Sequence, residues 1–109
     1  MWVFTETGFV SAVVHRDDPD ILIVRSRDRQ SIEPLALLVD TEIVTGAGTD
    51  YPHRITCSRD QFTQWAGQNI ASMSYGNFKS RVNQTRGHDF AHALMDVWSA
   101  MCQVEDVRR

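Results

Sequence analysis

Two histidines near the C-terminal end of the chain have the spacing of a metal-binding pair. His88 and His92 lie four residues apart, so on an α-helix both imidazoles would project from one face and could reach the same metal ion. The segment superficially resembles the His-Glu-x-x-His motif of zinc proteases, but aspartate stands where that motif has glutamate. His88 directly follows Gly87, which places it at a helix start, and no third ligand follows at a characteristic spacing. We therefore predict two solvent-facing histidines and no metal, and keep a small metal-dependent hydrolase as the third possible function.

The two cysteines do not have the pattern of a redox or metal-binding pair. Cys57 and Cys102 lie far apart in the sequence and form no Cys-x-x-Cys motif. Reduced cysteines are common core residues of cytosolic proteins. We therefore predict no structural disulfide and no nucleophilic role for either thiol.

The segment Gly46-Ala47-Gly48-Thr49 is the nearest approach to a nucleotide-binding loop in this chain. It lacks the Lys-Ser/Thr pair of a P-loop and the full glycine pattern of a dinucleotide site, and it is better explained as a hairpin turn. The sequence also shows no Ser-His-Asp arrangement and no paired carboxylates of the kind that catalysis requires. We therefore predict that the chain is not an enzyme, has no catalytic residues and uses no cofactor.

Three arginines alternate in the first third of the chain. If a strand continues through Arg25, Arg27 and Arg29, all three side chains point to one face of a sheet. Guanidinium groups match phosphate geometry, so such a patch would suit a nucleic acid or a nucleotide, and Arg16 and Arg54 could join it. The competing interpretation is a solvated strand end whose arginines pair with nearby acids, namely Asp17, Asp18, Asp20 and Asp28.

The composition is that of a small globular protein. The chain has 109 residues, of which 42% are hydrophobic and 23% are charged, and its formal net charge is −3. A dedicated duplex-DNA binder usually has a basic balance, so the net charge argues against nucleic acid as a partner. The apolar runs are far shorter than the roughly 20 residues that span a bilayer, and the N-terminal residues do not resemble a signal peptide. We therefore expect a cytoplasmic protein with no membrane association.

Apolar and β-branched runs predict two hairpins. A turn at Asp17-Asp18-Pro19-Asp20 separates the first pair of strands, because aspartate bonds its own backbone and proline fixes φ. Between the hairpins we predict a short helix over residues 28–39, with Ser31 as its N-cap and Pro34 in its first turn. The predicted strands cover residues 9–15, 21–27, 42–45 and 54–57, and residues 2–5 form a short extra strand or the start of the first.

The second half of the chain predicts helices. Ser58 and Gln61 have the spacing of a capping box, and apolar residues at helical spacing follow it as far as Thr85. The clearest periodic segment covers residues 89–104, whose apolar stripe we expect to face the core. That stripe comprises Phe90, Leu94, Val97, Trp98 and Met101.

This order of elements predicts an α+β fold. Two hairpins make an antiparallel sheet of about four strands, and a C-terminal bundle of two or three helices packs on one face of it. Nothing repeats and no linker composition interrupts the chain, so we expect a single domain over residues 1–109.

Four short motifs give the chain a family resemblance. It resembles an uncharacterised family of small proteins of about this length, found in bacteria, notably actinobacteria, and in their phages. That family brings no known catalytic residues, and it implies a bacterial or phage cytosolic setting. The resemblance rests on Trp2-x-Phe4-Thr5-x-x-Gly8-Phe9, Gly46-Ala47-Gly48-Thr49-Asp50-Tyr51-Pro52, Tyr75-x-Asn77-Phe78-Lys79 and Val97-Trp98.

A binding role follows better from this sequence than a catalytic one. We expect a non-enzymatic protein-interaction module, of phage or prophage origin by the resemblance, that acts on a host protein or on a second copy of itself as a homodimer. Trp2 stands near the terminus, where a large aromatic side chain must find cover or anchor a partner. The alternative is a nucleic-acid or nucleotide-binding module that uses the arginine patch. The predicted interaction residues are Trp2, Arg25, Arg27 and Arg29.

Overall fold

The computed structural model describes residues 1–46 and 50–106 and divides into two compact units, Met1–Ser74 and Tyr75–Arg109. The described residues confirm the predicted α+β fold, with five strands rather than about four. The first unit contains β1 (Trp2–Thr5), β2 (Gly8–Val14), β3 (Ile21–Ser26), α1 (Arg29–Val39), β4 (Val44–Thr45), β5 (His53–Ser58) and α2 (Arg59–Ala71). The second contains α3 (Phe78–Arg86), α4 (His88–Met101) and a 3-10 turn, Cys102–Val104.

The sheet has the order β1-β2-β3-β5-β4, and every neighbouring pair is antiparallel. A two-residue turn joins β1 to β2, so that Thr5 pairs with Gly8 and Phe4 with Phe9. The aspartate-rich segment turns β2 into β3 as predicted, with the Asp18 carboxylate accepting from the Asp20 backbone N–H at 2.9 Å. Residues 2–5 are therefore a strand of their own and form one edge of the sheet.

One face of the sheet packs against α1 and α2. Successive side chains of a strand point to opposite faces, and the residues on this core face are almost all apolar. From α1 the core takes Ile32, Leu35 and Ala36, and from α2 it takes Phe62 and Trp65. The core-face residues of the sheet are Val10, Ala12, Leu22, Val24, Ile55 and Cys57.

The start of α1 differs from the sequence prediction. The N-cap is Asp28 and not Ser31, because β3 ends at Ser26, whose hydroxyl donates to the Asp28 carbonyl at 2.6 Å. Ser31 is buried in the first turn, and its hydroxyl accepts from the Phe9 backbone N–H at 3.1 Å. The earlier start also leaves Pro34 inside the helix and not in its first turn.

The start of α2 is as predicted. Ser58 is the N-cap, its hydroxyl accepts from the Gln61 backbone N–H at 3.1 Å, and the Gln61 side chain accepts from the Ser58 N–H at 2.9 Å. This capping box satisfies two backbone donors that the helix itself cannot. The apolar residues at helical spacing in α2 are not all buried: Phe62 and Trp65 lie in the core, whereas Ile70 is 69% exposed.

The second unit is a pair of helices that pack on each other. Asn77 caps α3 by accepting from the Ser80 N–H at 2.9 Å, so the helix begins at Phe78. Val82 of α3 and Ala91 of α4 are buried. Gly87 ends α3 with a φ of 93° and immediately precedes α4.

The prediction that the α4 stripe faces the core is wrong for its C-terminal half. Phe90 and Leu94 are half-buried, but Trp98 is 65% exposed and Val97 and Met101 are exposed as well. The reason is length. With 9 residues α3 is shorter than the 14 residues of α4, and a difference of five residues leaves about 7.5 Å of α4 without cover from α3.

No helix among the residues the structure describes has both the length and the apolar character needed to cross a membrane.

Candidate functional site

The sheet face opposite α1 and α2 is the strongest candidate for a functional site. We call it the open face. Its strand register places Trp2, Ser11, Arg25 and Arg54 in one row across β1, β2, β3 and β5. The full set on these four strands is Trp2, Phe4, Phe9, Ser11, Val13, Ile21, Ile23, Arg25, Arg54, Thr56 and Ser58.

Three aromatic rings cover the β1–β2 half of the open face. Phe4 stacks on Phe9 with ring centroids 4.6 Å apart, and Trp2 meets Phe9 edge-on at 5.8 Å. Both geometries are favourable for aromatic pairs. The two phenylalanines are half-buried, whereas the Trp2 side chain is 68% exposed. The result is an aromatic platform with a large apolar ring in solvent.

Three arginines and a tyrosine occupy the β3–β5 half of the same face. Arg25 and Arg54 are direct cross-strand partners. The guanidinium carbon of Arg25 lies 4.7 Å from the centroid of the Tyr51 ring, and that of Arg27 lies 4.2 Å from it. These are cation–π distances. Tyr51 is buried and therefore holds two guanidinium groups close together; we call these four residues the arginine cluster.

The positive charge of the arginine cluster is not neutralised within the described residues. Arg25 donates to the Ser11 hydroxyl at 2.9 Å and Arg27 donates to the Asp50 carbonyl, both uncharged acceptors. In the described ranges no carboxylate forms an ion pair with Arg25, Arg27 or Arg54. The buried Nε atoms of Arg25 and Arg54 also have no hydrogen-bond acceptor there. The cluster thus presents positive charge beside the aromatic platform.

The predicted interaction residues separate into two groups. Trp2 and Arg25 lie on the open face and Arg27 contacts it through Tyr51, but Arg29 does not belong there. The strand ends at Ser26, so Arg29 is the first residue of α1, where its Nε lies 3.5 Å from a Glu33 carboxylate oxygen. Placing all three arginines on one face required β3 to continue as far as Arg29, but the strand is shorter than that.

The predicted interaction residues did not include Phe4, Phe9 or Tyr51, and the sequence signals of these three aromatic residues differ in strength. Alternation in Trp2-Val3-Phe4 and in Phe9-Val10-Ser11 places the aromatic residues on one face of each strand. Tyr51 has no such signal, because it lies between strands and reaches the arginines only through the pairing of β5 with β3.

The other sequence candidates lie outside the open face. The imidazole rings of His88 and His92, both exposed, have centroids 6.1 Å apart in the first turns of α4. No group of three or more metal-ligating side chains occurs among the described residues. Of the glycine-rich segment, Ala47–Thr49 lies outside the described residues, and Gly46 donates its N–H to the Pro52 carbonyl at 2.7 Å.

The two thiols have different surroundings. Both cysteines are free. Burial raises the pKa of the Cys57 thiol, which disfavours the nucleophilic thiolate at neutral pH. Cys57 is buried in the core of the first unit, whereas Cys102 is exposed.

We predict that the purified protein carries no stoichiometric zinc. Two imidazoles four residues apart supply only two of the three or four ligands that zinc takes from a protein. Elemental analysis after extensive dialysis checks this. About one zinc per chain, lost in His92→Ala and retained in His53→Ala, would contradict the prediction and favour the hydrolase.

Comparison with known proteins gave no matching family model, no similar curated protein and no similar solved structure. The family resemblance and the bacterial or phage origin it implies therefore stay predictions.

Proposed function

We propose that this chain is a non-enzymatic protein-interaction module whose contact surface is the open face of its sheet. The observation that carries the proposal is the position of Trp2, which is 68% exposed and meets edge-on the ring of Phe9, itself stacked on Phe4. An exposed tryptophan in a contiguous apolar patch is costly to leave in water. A partner that covers this platform would recover that free energy.

The residue types on the open face support the same function. Tryptophan, tyrosine and arginine are the side chains most enriched among residues that dominate protein–protein binding energy. The open face combines Trp2, Arg25 and Arg54 on paired strands with Tyr51 and Arg27 beside them. A surface built on paired strands also changes little on binding, which limits the entropy that a partner must overcome.

The partner we propose is a host protein, with a second copy of this chain as the other protein that could cover the same face. A host target follows from the resemblance to bacterial and phage proteins, since small phage products commonly act by binding host proteins. A homodimer through the open face would be isologous and would place Trp2 of each copy against the other.

The arginine cluster favours a second candidate function, the binding of nucleic acid or nucleotides. Aromatic platforms that stack bases beside arginines that hold phosphates are a recurring mode of single-strand binding. This candidate ranks second because those proteins line the whole path of the backbone with positive charge. Here the three arginines lie together in one half of the open face, and the chain has a net charge of −3.

The test compares two truncations of exposed apolar side chains. Immobilised wild-type protein, Trp2→Ala and Ile70→Ala are each incubated with an actinobacterial lysate, and bound proteins are identified by mass spectrometry. Self-association of the same three proteins is measured by analytical ultracentrifugation. Ile70 is the matched control, because it is as exposed as Trp2 but lies on α2.

We expect wild type and Ile70→Ala to bind the same partner, or to self-associate equally, and Trp2→Ala to lose that binding by about 10-fold or more, as for an interface hot spot. A wild-type chain that neither binds a protein nor self-associates would contradict the proposal. So would a partner bound equally well by Trp2→Ala.

A further inference from the structure

We infer that the partner of the open face is an acidic protein segment, whose carboxylates bind the arginine cluster while its apolar side chains lie on the aromatic platform. This inference rests on the proposed function and adds the chemistry of the partner to it. Its basis is charge complementarity between carboxylates of the partner and the arginine cluster, which lies beside the apolar aromatic platform.

The first step is the state of the arginines in the unbound chain. Arg25, Arg27 and Arg54 have only neutral acceptors or none within the described residues. Arg29 shows the contrast, since it has the carboxylate of Glu33 beside it. Like charges held together by Tyr51 repel each other, so an anion that enters the cluster relieves repulsion and supplies acceptors at once.

The second step is the distance between the two halves of the face. Trp2 and Arg25 belong to one row of the sheet and are separated by one strand. With adjacent strands about 4.8 Å apart, their backbones are roughly 10 Å from each other. Residues on one side of an extended segment recur every 6–7 Å or so. An extended partner that crosses the strands can therefore place an apolar side chain on Trp2 and a carboxylate at Arg25 within a few residues.

The third step is the choice between protein carboxylates and the phosphates of a nucleic acid as ligands of the arginine cluster. Outside the cluster the strand residues of the open face are all neutral, among them Val13, Ile23 and Thr56. A polyanion that crossed this face would therefore find positive charge at the arginine cluster alone. Counterion release rewards the number of phosphates contacted, and three arginines in one cluster contact few. A segment with a few carboxylates among apolar residues matches this distribution of charge better.

The test uses synthetic peptides as probes. Two dodecapeptides share the same alternating leucine and phenylalanine residues, and their remaining positions are all glutamate in one and all glutamine in the other. A thymidine oligonucleotide of equal length is the third probe. Each is titrated into the full, isotopically labelled chain, and amide and Trp indole shifts are followed by NMR.

We expect the glutamate peptide to shift the Trp2 indole and the amides of Arg25, Arg27 and Arg54. The glutamine peptide should bind about 10-fold more weakly, as expected for the loss of charge-assisted hydrogen bonds. Arg27→Gln and Arg54→Gln should each weaken the glutamate peptide by about 3- to 10-fold. Arg29→Gln is the matched control, since it removes an arginine of the same region that already has a carboxylate, and it should leave affinity unchanged.

Three results would overturn the inference. Equal affinity for the two peptides would mean that the open face binds the apolar side chains of a partner and that the carboxylates contribute nothing. The proposed function would not be contradicted by that result. Tighter binding of the oligonucleotide through the same arginines would select the nucleic-acid candidate. Binding that leaves the open-face signals unmoved would show that acidic segments are not its ligand, whereas the proposed function is decided separately by the Trp2→Ala capture and self-association experiment.

Discussion

Gly8→Ala should unfold the first unit or lower its melting temperature by well over 10 °C. A Cβ at this position would lie 2.1 Å from the Ser31 Oγ and 2.7 Å from the Ser31 Cα. The second contact is with helix backbone, so α1 as a whole would have to move away from β2. Gly8 also has a φ of 151°, which other residues rarely adopt. Overpacking alone costs about 1–3 kcal/mol or more, out of a total stability of roughly 5–15 kcal/mol for a small domain.

The matched control is Gly67→Ala. Gly67 lies inside α2, and apart from its chain neighbours and the adjacent helix backbone no described atom lies within 4 Å of the place a Cβ would take. Alanine is a better helix former than glycine by about 1 kcal/mol, so this variant should melt at or above the wild-type temperature. Thermal unfolding followed by circular dichroism compares the two. A Gly8→Ala protein that melts like wild type would mean that α1 does not dock against β2 through Ser31.

Trp65→Ala and Trp98→Ala should differ sharply in their effect on stability. Trp65 is 4% exposed and contacts Phe62 in the core of the first unit, with ring centroids 5.5 Å apart. Its truncation should cost about 3–5 kcal/mol, which lowers the melting temperature by more than about 10 °C in a chain of this size. Trp98 is 65% exposed on α4, and its truncation should change stability by less than about 0.5 kcal/mol.

Thermal melts of the two variants, measured beside wild type at one protein concentration, check this pair. The sequence pattern alone predicts the opposite for Trp98, because that residue lies in the clearest apolar stripe of the chain. A large loss of stability in Trp98→Ala would restore that interpretation and place the C-terminal half of α4 in a core.

The difference between these tryptophans illustrates what sequence could predict here. Period-two and helical spacing located most elements, and the chemistry of Ser58 and Gln61 located the start of α2. Periodicity identifies which residues of a helix share a face, but it does not say whether a neighbour is long enough to cover that face. For Trp98 the neighbouring helix α3 is too short.

The candidate site was only partly predictable for a related reason. Arg25, Arg27 and Trp2 were identifiable as residue types suited to binding, and Arg54 as an arginine that could join them. The cluster also depends on Tyr51, which no sequence signal identified. The meeting of these residues follows from the pairing of β5 with β3 across an intervening helix. No local sequence pattern encodes such a long-range pairing. Arg29 does not belong to the open face for a different reason: β3 ends at Ser26, and Arg29 is the first residue of α1.

The pairing of β3 with β5 has a consequence for how the chain folds. β1, β2 and β3 follow one another through short turns, so each can pair with its neighbour soon after collapse. The central contact between β3 and β5 must instead close a loop of residues 27–52 that contains α1 and β4. Loop closure costs entropy before the new pairing returns any stabilisation. We therefore expect the rate-limiting step of folding to be the arrival of β5, the same event that assembles the arginine cluster around Tyr51.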